Sequence, residues 1–129
     1  MQIFTIIVLS LSGLLLTMVG LFRLSNPIGT YSKNSGISIA NDVNLLNEVR
    51  AVSALMLCSG IIILLGTIFS QVTVASLLIA TLILIGFGIG RTISIGIDGK
   101  PNKLIFQGLI TEIVLGALNF IALINAVWS

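Results

Sequence analysis

The sequence predicts an all-α fold, an integral membrane four-helix transmembrane bundle with both termini on the same, outer side. Two observations carry that prediction. The chain of 129 residues is 57% hydrophobic and only 8% charged, with no histidine. Soluble domains average about 25% charged residues, so too little polar surface remains for a soluble monomer. The second observation is where the charge lies: charge-free runs long enough to cross a bilayer alternate with polar connections.

The first run, Met1 to Phe22, meets the roughly 20 apolar residues that a hydrocarbon core of about 30 Å requires. It has no basic n-region and outruns the h-region of a signal peptide, so it reads as a retained span over about 2–22. The next run, Ala51 to Gly90, would make a single helix about 60 Å long, twice the core, and must fold back on itself. The turn is placed at Gln71, flanked by Ser70 and Thr73, giving spans of about 47–69 and 73–95. Asp98-Gly99-Lys100-Pro101-Asn102 is the next turn, because Gly supplies positive φ and Pro cannot continue the helix. The fourth span, about 104–128, is broken only by Glu112. The whole chain, 1–129, is thus expected to form one transmembrane domain.

The connection over 23–46 is longer than the roughly 12–15 residues usual for structureless loops. It holds Pro27, Tyr31 and the alternating stretch Gly36-Ile37-Ser38-Ile39. It ends in Asn41-Asp42, an N-cap pair that starts the second helix near Val43, in the interface. The connection is either packed on the bundle end or a lid over a polar site. With four spans, Arg23, Lys33, Arg50, Arg91, Lys100 and Lys103 all fall on the face of this loop. The positive-inside rule then puts the long loop in the cytoplasm and the termini outside, in the cytoplasmic (inner) membrane, with Trp128 an interfacial anchor.

Several chemistries are excluded. Without histidine there is no histidine-ligated haem or zinc and no Ser-His-Asp triad. The single cysteine, Cys58, makes no CxxC pair and reads as a small buried hydrophobe. Six basic residues make no nucleic-acid footprint. Gly86-Phe87-Gly88-Ile89-Gly90 lacks the spacing and preceding strand of a dinucleotide fingerprint. No catalytic residue, metal site or cofactor is expected.

The ionisable groups in or near the spans remain. Each costs about 2.5–3.5 kcal/mol at a span's centre on insertion scales, so it persists when paired or used. Arg91 and Glu112 lie about 9 Å and 12 Å from their shared turn, so the hairpin brings them to nearly one level. Glu48 and Arg50 enter from the same side at the start of the second helix. Arg91, Ser94 and Asp98 share a helical face at i, i+3 and i+7. Asn119 lies on the bundle-facing stripe Gly108, Glu112, Gly116, Asn119 and Ala126, where it can hydrogen-bond across helices. Glu48, Arg50, Arg91, Ser94, Asp98, Glu112 and Asn119 are therefore the candidates for ligand or proton handling. Glu112, which interrupts a span, is the proton carrier of that set, and Arg91 or Arg50 its anion or carbonyl contact. The competing reading is a neutral cluster that fixes helix packing and register. Gly86, Gly90 and Ser94 form a second packing face, and Ser10, Gly13, Thr17 and Gly20 a third.

Asn41-Asp42-Val43-Asn44-Leu45-Leu46-Asn47-Glu48-Val49-Arg50-Ala51 opens the second helix, and Gly90-Arg91-Thr92-Ile93-Ser94 with Asp98-Gly99-Lys100-Pro101 closes the third. With Asn26-Pro27, Tyr31 and Glu112, this pattern resembles a bacterial domain-of-unknown-function family of small four-helix integral membrane proteins, over nearly the whole chain. In layout alone it is similar to the DoxX-like four-helix proteins, some of which are subunits of membrane thiol or quinone oxidoreductase systems. A redox role is implied there only by analogy. The small multidrug transporters have similar size, but their essential glutamate lies in the first span, which here has no acid.

Three function classes follow. The leading one is a non-catalytic accessory or oligomeric membrane component, with membrane lipid and other membrane proteins or further copies of itself as partners. The second is a binder of a small lipophilic ligand, a quinone or lipid, at the Glu/Arg cluster. The third is a small proton-coupled transporter.

Overall fold

A computed structural model describes residues 2–128, and all their regular structure is helical. Helix α1 (Ile3–Ser25) is followed by a single turn, α2 (Pro27–Thr30). The Gly29 amide donates to the Asn26 side chain, which caps α2, and Pro27 takes the first helical position, where no amide hydrogen is needed. A π-helical turn, Tyr31–Ser35, continues α2. Gly36 closes it in the left-handed region at φ 66°, which costs glycine no steric clash. The Leu45 amide donates to the Asp42 carboxylate at 3.0 Å, and this cap starts α3 (Val43–Leu65). Helices α4 (Thr73–Asp98) and α5 (Lys103–Trp128) complete the chain, joined by a turn in which Gly99 has φ 101°. Four of these helices (α1, α3, α4 and α5) are long and apolar enough to cross a membrane.

Much of the long connection expected over 23–46 is helical. Helix α1 runs on to Ser25, and the caps at Asn26 and Gly36 hold 27–35 in two consecutive turns. Helix α3 stops at Leu65, four residues before the expected 69, because its end is pinned sideways. The Thr73 hydroxyl donates to the Gly66 carbonyl at 2.7 Å and the Ser76 hydroxyl to the Ile62 carbonyl at 2.8 Å. The chain then turns through 66–69 and a short 3-10 segment, Ser70–Val72, into α4.

Helix α1 packs most extensively on α3, and α4 on α5; α1 and α5 touch far less. The α1–α3 contact is backbone to backbone. A Cβ on Gly60 would stand 2.6 Å from the Thr17 amide nitrogen, and one on Gly20 would stand 2.6 Å from that of Leu57. Gly20, near the end of α1, is thereby level with Ser53 and Leu57, well inside α3. The start of α3 therefore projects past the end of α1 by about 10 Å. The apolar core fills the charge-free half, around Leu9, Ile63, Leu77 and Ala80, and stops at Leu16, Met56 and Leu84.

Two expectations about faces are overturned. Gly86 and Gly90 are exposed, and a Cβ on either would meet nothing within 4 Å. The packing glycine of α4 is Gly88, against Ile113, while Gly116 of α5 receives Ile85. A four-residue spacing identifies a face but not the direction it points. Cys58 is likewise exposed, not buried. In a membrane bundle the outward positions face lipid and are as apolar as the core, so hydrophobicity does not separate inside from outside.

Gly60→Val should destabilise the protein by about 1–3 kcal/mol, since overpacking forces α1 and α3 apart. Gly90→Ala should be neutral or stabilising by up to about 1 kcal/mol, through helix propensity alone. Unfolding in mixed micelles distinguishes the two, and equal losses would show that the α1–α3 contact is not close-packed.

Candidate functional site

The polar chemistry gathers at one end of the bundle, where the core stops. The Arg91 Nε donates to Glu112 Oε1 at 2.8 Å, joining α4 to α5. Glu112 is 8% exposed, whereas the Arg91 side chain is about one-third exposed. The second carboxylate oxygen, Glu112 Oε2, is buried and has no hydrogen-bond partner. An unpaired carboxylate oxygen at this depth is costly, on the order of 1–3 kcal/mol or more for a charged group.

The ion pair borders a cavity of about 210 Å³ between α1, α4 and α5. Leu16, Met56 and Leu84 floor it, and Leu15, Val19 and Phe87 line its sides. Thr30, Asn34 and Ser35, from the turns after α1, roof it together with Leu104 and Ile105. The roof is fixed by Asn102, whose side-chain amide donates to the Ser35 carbonyl at 2.9 Å and whose oxygen accepts the Ile105 amide at the start of α5. The connection packs on the bundle end, with Pro27 and Ser35 buried, and the same turns cover the cavity. Leu104 and Thr111 are exposed lining residues on α5, so the cavity opens along the loosely packed α1–α5 side.

Arg23 also lines the cavity, and sequence reasoning did not select it as a site residue. Its guanidinium lies over the Tyr31 ring, 4.5 Å from the centroid, in a cation–π contact that holds it toward the roof. Its sequence signal is spacing: Leu16, Val19 and Arg23 fall at i, i+3 and i+7 on one face of α1, and all three line the cavity.

The other candidates lie elsewhere. Glu48 is exposed and makes no ion pair among the described residues. Arg50 is exposed and donates to the Leu24 carbonyl at the end of α1. Both side chains turn outward from the first turns of α3, so the expected four-residue cluster reduces to Arg91 and Glu112. The Ser94 hydroxyl donates to Asp98 at 3.1 Å on an exposed face of α4, away from the cavity. Asn119 is fully buried below the site. Its amide nitrogen donates to the Ser12 hydroxyl of α1 at 2.7 Å and to the Leu115 carbonyl, while its oxygen finds no partner. It ties α5 to α1 rather than lining the cavity. Among the described residues no three acidic or thiol side chains converge as a metal-binding set.

The fold and the site define a small multi-pass membrane protein whose helices enclose a cavity with an apolar floor and a charged end. The chain belongs to the family described as domain of unknown function DUF4345, whose model matches residues 4–123 and so takes in the entire cavity. No curated protein and no solved structure is significantly similar to it.

Glu112→Met and Arg91→Met should each lower stability by on the order of 1–3 kcal/mol, because each strands the other's charge. The double variant should lose less than the sum of the two. A double-mutant cycle measured by unfolding in micelles checks this; strict additivity would mean that the pair does not couple α4 to α5.

Proposed function

We propose that this membrane protein binds a small lipophilic molecule, a lipid or quinone, in the cavity beside Arg91 and Glu112. The observation that carries the reading is that Glu112, whose Oε2 is buried and unpartnered, lines a cavity of about 210 Å³ with apolar walls. An empty apolar void needs no charged end, and a purely structural ion pair needs no adjoining space. The volume lies below the roughly 300–1,000 Å³ of sites that engulf drug-sized molecules. It suits the polar end of an amphiphile whose chain stays in the bilayer.

A second reading, an accessory component that packs against partner helices or another copy of itself, is favoured by one observation. The α4 glycines Gly86 and Gly90 leave a smooth, unfilled face toward lipid, of the kind that admits a close helix. The two roles are compatible, since that face and the cavity use different residues.

For orientation we infer that the cavity end faces the cytoplasm of a bacterial inner membrane. Lys33, Lys100 and Lys103 cluster there, and the other end, with Gln2, Gln71 and Trp128, carries no charged side chain.

Gly108 tests the binding role. Its Cβ would sit 3.8 Å from Glu112 Oε1 in ordinary contact, so a larger side chain grows into the cavity and leaves the ion pair in place. Gly108→Leu should abolish binding of a short-chain quinone and of diacyl lipids, read by native mass spectrometry, with the melting temperature unchanged. Retained binding in this variant would sink the assignment. For orientation, Lys33→Cys in a Cys58→Ala background should react with an impermeant maleimide only after the cells are permeabilised; labelling in intact cells would reverse the topology.

A further inference from the structure

The cavity's charges do not cancel, and this narrows what it takes. Its ionisable lining is Arg23, Arg91 and Glu112, two cations against one anion. Arg91 is engaged with Glu112. Arg23 makes no ion pair among the described residues, though its charge acts on Glu112 at longer range, and it is held over Tyr31, half-buried beside the roof. A surplus guanidinium at the edge of the hydrocarbon calls for one negative charge. At the same site the buried Glu112 Oε2 calls for a hydrogen-bond donor. The roof adds neutral partners from Thr30, Asn34 and Ser35. The opening on the α1–α5 side lets acyl chains remain in the bilayer.

Resting on the reading that the cavity binds a lipophilic molecule, we propose that its ligand is a lipid whose head group is a hydroxyl-bearing phosphodiester with a single negative charge. The phosphate accepts from Arg23 and from the free guanidinium nitrogens of Arg91, and a head-group hydroxyl donates to the Glu112 carboxylate. The alternatives each fail one requirement. An oxidised quinone brings neither charge nor donor. A fatty acid brings charge without a hydroxyl donor. A phosphocholine head group sets its own cation against Arg23 and carries no donor. About 210 Å³ accommodates one such head group and not a whole lipid.

The test uses the full chain in a neutral detergent and titrates phosphatidylglycerol, phosphatidylcholine, oleate and free glycerol 3-phosphate, read by native mass spectrometry and thermal shift. Phosphatidylglycerol should bind at least tenfold more tightly than phosphatidylcholine or oleate, and free glycerol phosphate should bind weakly. Arg23→Gln should reduce the phosphatidylglycerol preference about tenfold, as expected for one charge-assisted hydrogen bond of about 1.4 kcal/mol. Lys100→Gln, whose ammonium lies over Phe106 outside the cavity, should leave the preference intact. An equal loss with Lys100→Gln would assign the preference to general surface charge and overturn the proposal. Equal binding of phosphatidylcholine or oleate would overturn the head-group class while leaving the cavity a lipophilic site. Tight binding of free glycerol phosphate would replace the lipid by a water-soluble anion. If none of these molecules nor a short-chain quinone binds, the binding role itself falls.

Discussion

An arginine and a glutamate placed within spans must meet, because lipid offers neither water nor counter-ions. The Arg91–Glu112 bond is where this chain meets that requirement, and much else follows from it. It sets the register of α4 against α5, so that Gly88 faces Ile113 and Gly116 faces Ile85. It puts the charged level of the bundle above the point where the apolar core stops, at Leu16, Met56 and Leu84. It also uses only one carboxylate oxygen, which leaves the other buried without a hydrogen-bond partner. A second arginine on α5 or α1 aimed at that oxygen would have closed the site. Arg23, on α1, acts on Glu112 through its charge and not through a hydrogen bond, and its guanidinium stacks on the Tyr31 ring.

The bundle divides its labour between two tight helix pairs. In the α1–α3 pair glycine brings backbones into contact, as at Gly20 and Gly60. The α4–α5 pair combines glycine-to-isoleucine packing with the ion pair. Hydroxyl-to-carbonyl bonds from Thr73 and Ser76 hold the pairs together at the uncharged end, where polar groups without charge are cheaper to bury. At the charged end no comparable contact closes α1 against α5, and the turns from Pro27 to Ser35 cover the space that results.

Span number and type were legible from length and charge alone, because hydrocarbon thickness admits few alternatives. The Asp42 cap and the φ > 0 glycine at 99 were legible too, since each rests on local backbone chemistry. The Arg91–Glu112 encounter was readable because a hairpin fixes the level of both partners. The rest depends on how helices slide and rotate. Glu48 and Arg50 enter at the start of the second helix on the same side as Arg91 and Glu112, but level alone does not say which way a side chain turns. Both are exposed, and Arg50 is engaged with the Leu24 carbonyl at the end of α1. Gly86, Gly90 and Cys58 were assigned inward because small or apolar residues mark either face in lipid. Arg23 shares a face of α1 with Leu16 and Val19, but the Tyr31 ring that holds its guanidinium comes from the coiling of 27–35, which the sequence did not show.

The hydrogen bond from Asn119 to Ser12 is a cross-tie between the two helix pairs at mid-depth. It lies about two turns below Glu112 on the same face of α5, or roughly 10 Å along the axis. The Thr73 and Ser76 hydroxyls tie the pairs again at the uncharged end, beside a second hollow of about 270 Å³ lined by Gln2, Ser70 and Asn125. At the charged end the Asn102–Ser35 bond joins the turns that roof the cavity. The pairs are thus braced at three depths, and the cavity is a preformed space inside a scaffold, not a gap left by loose helices.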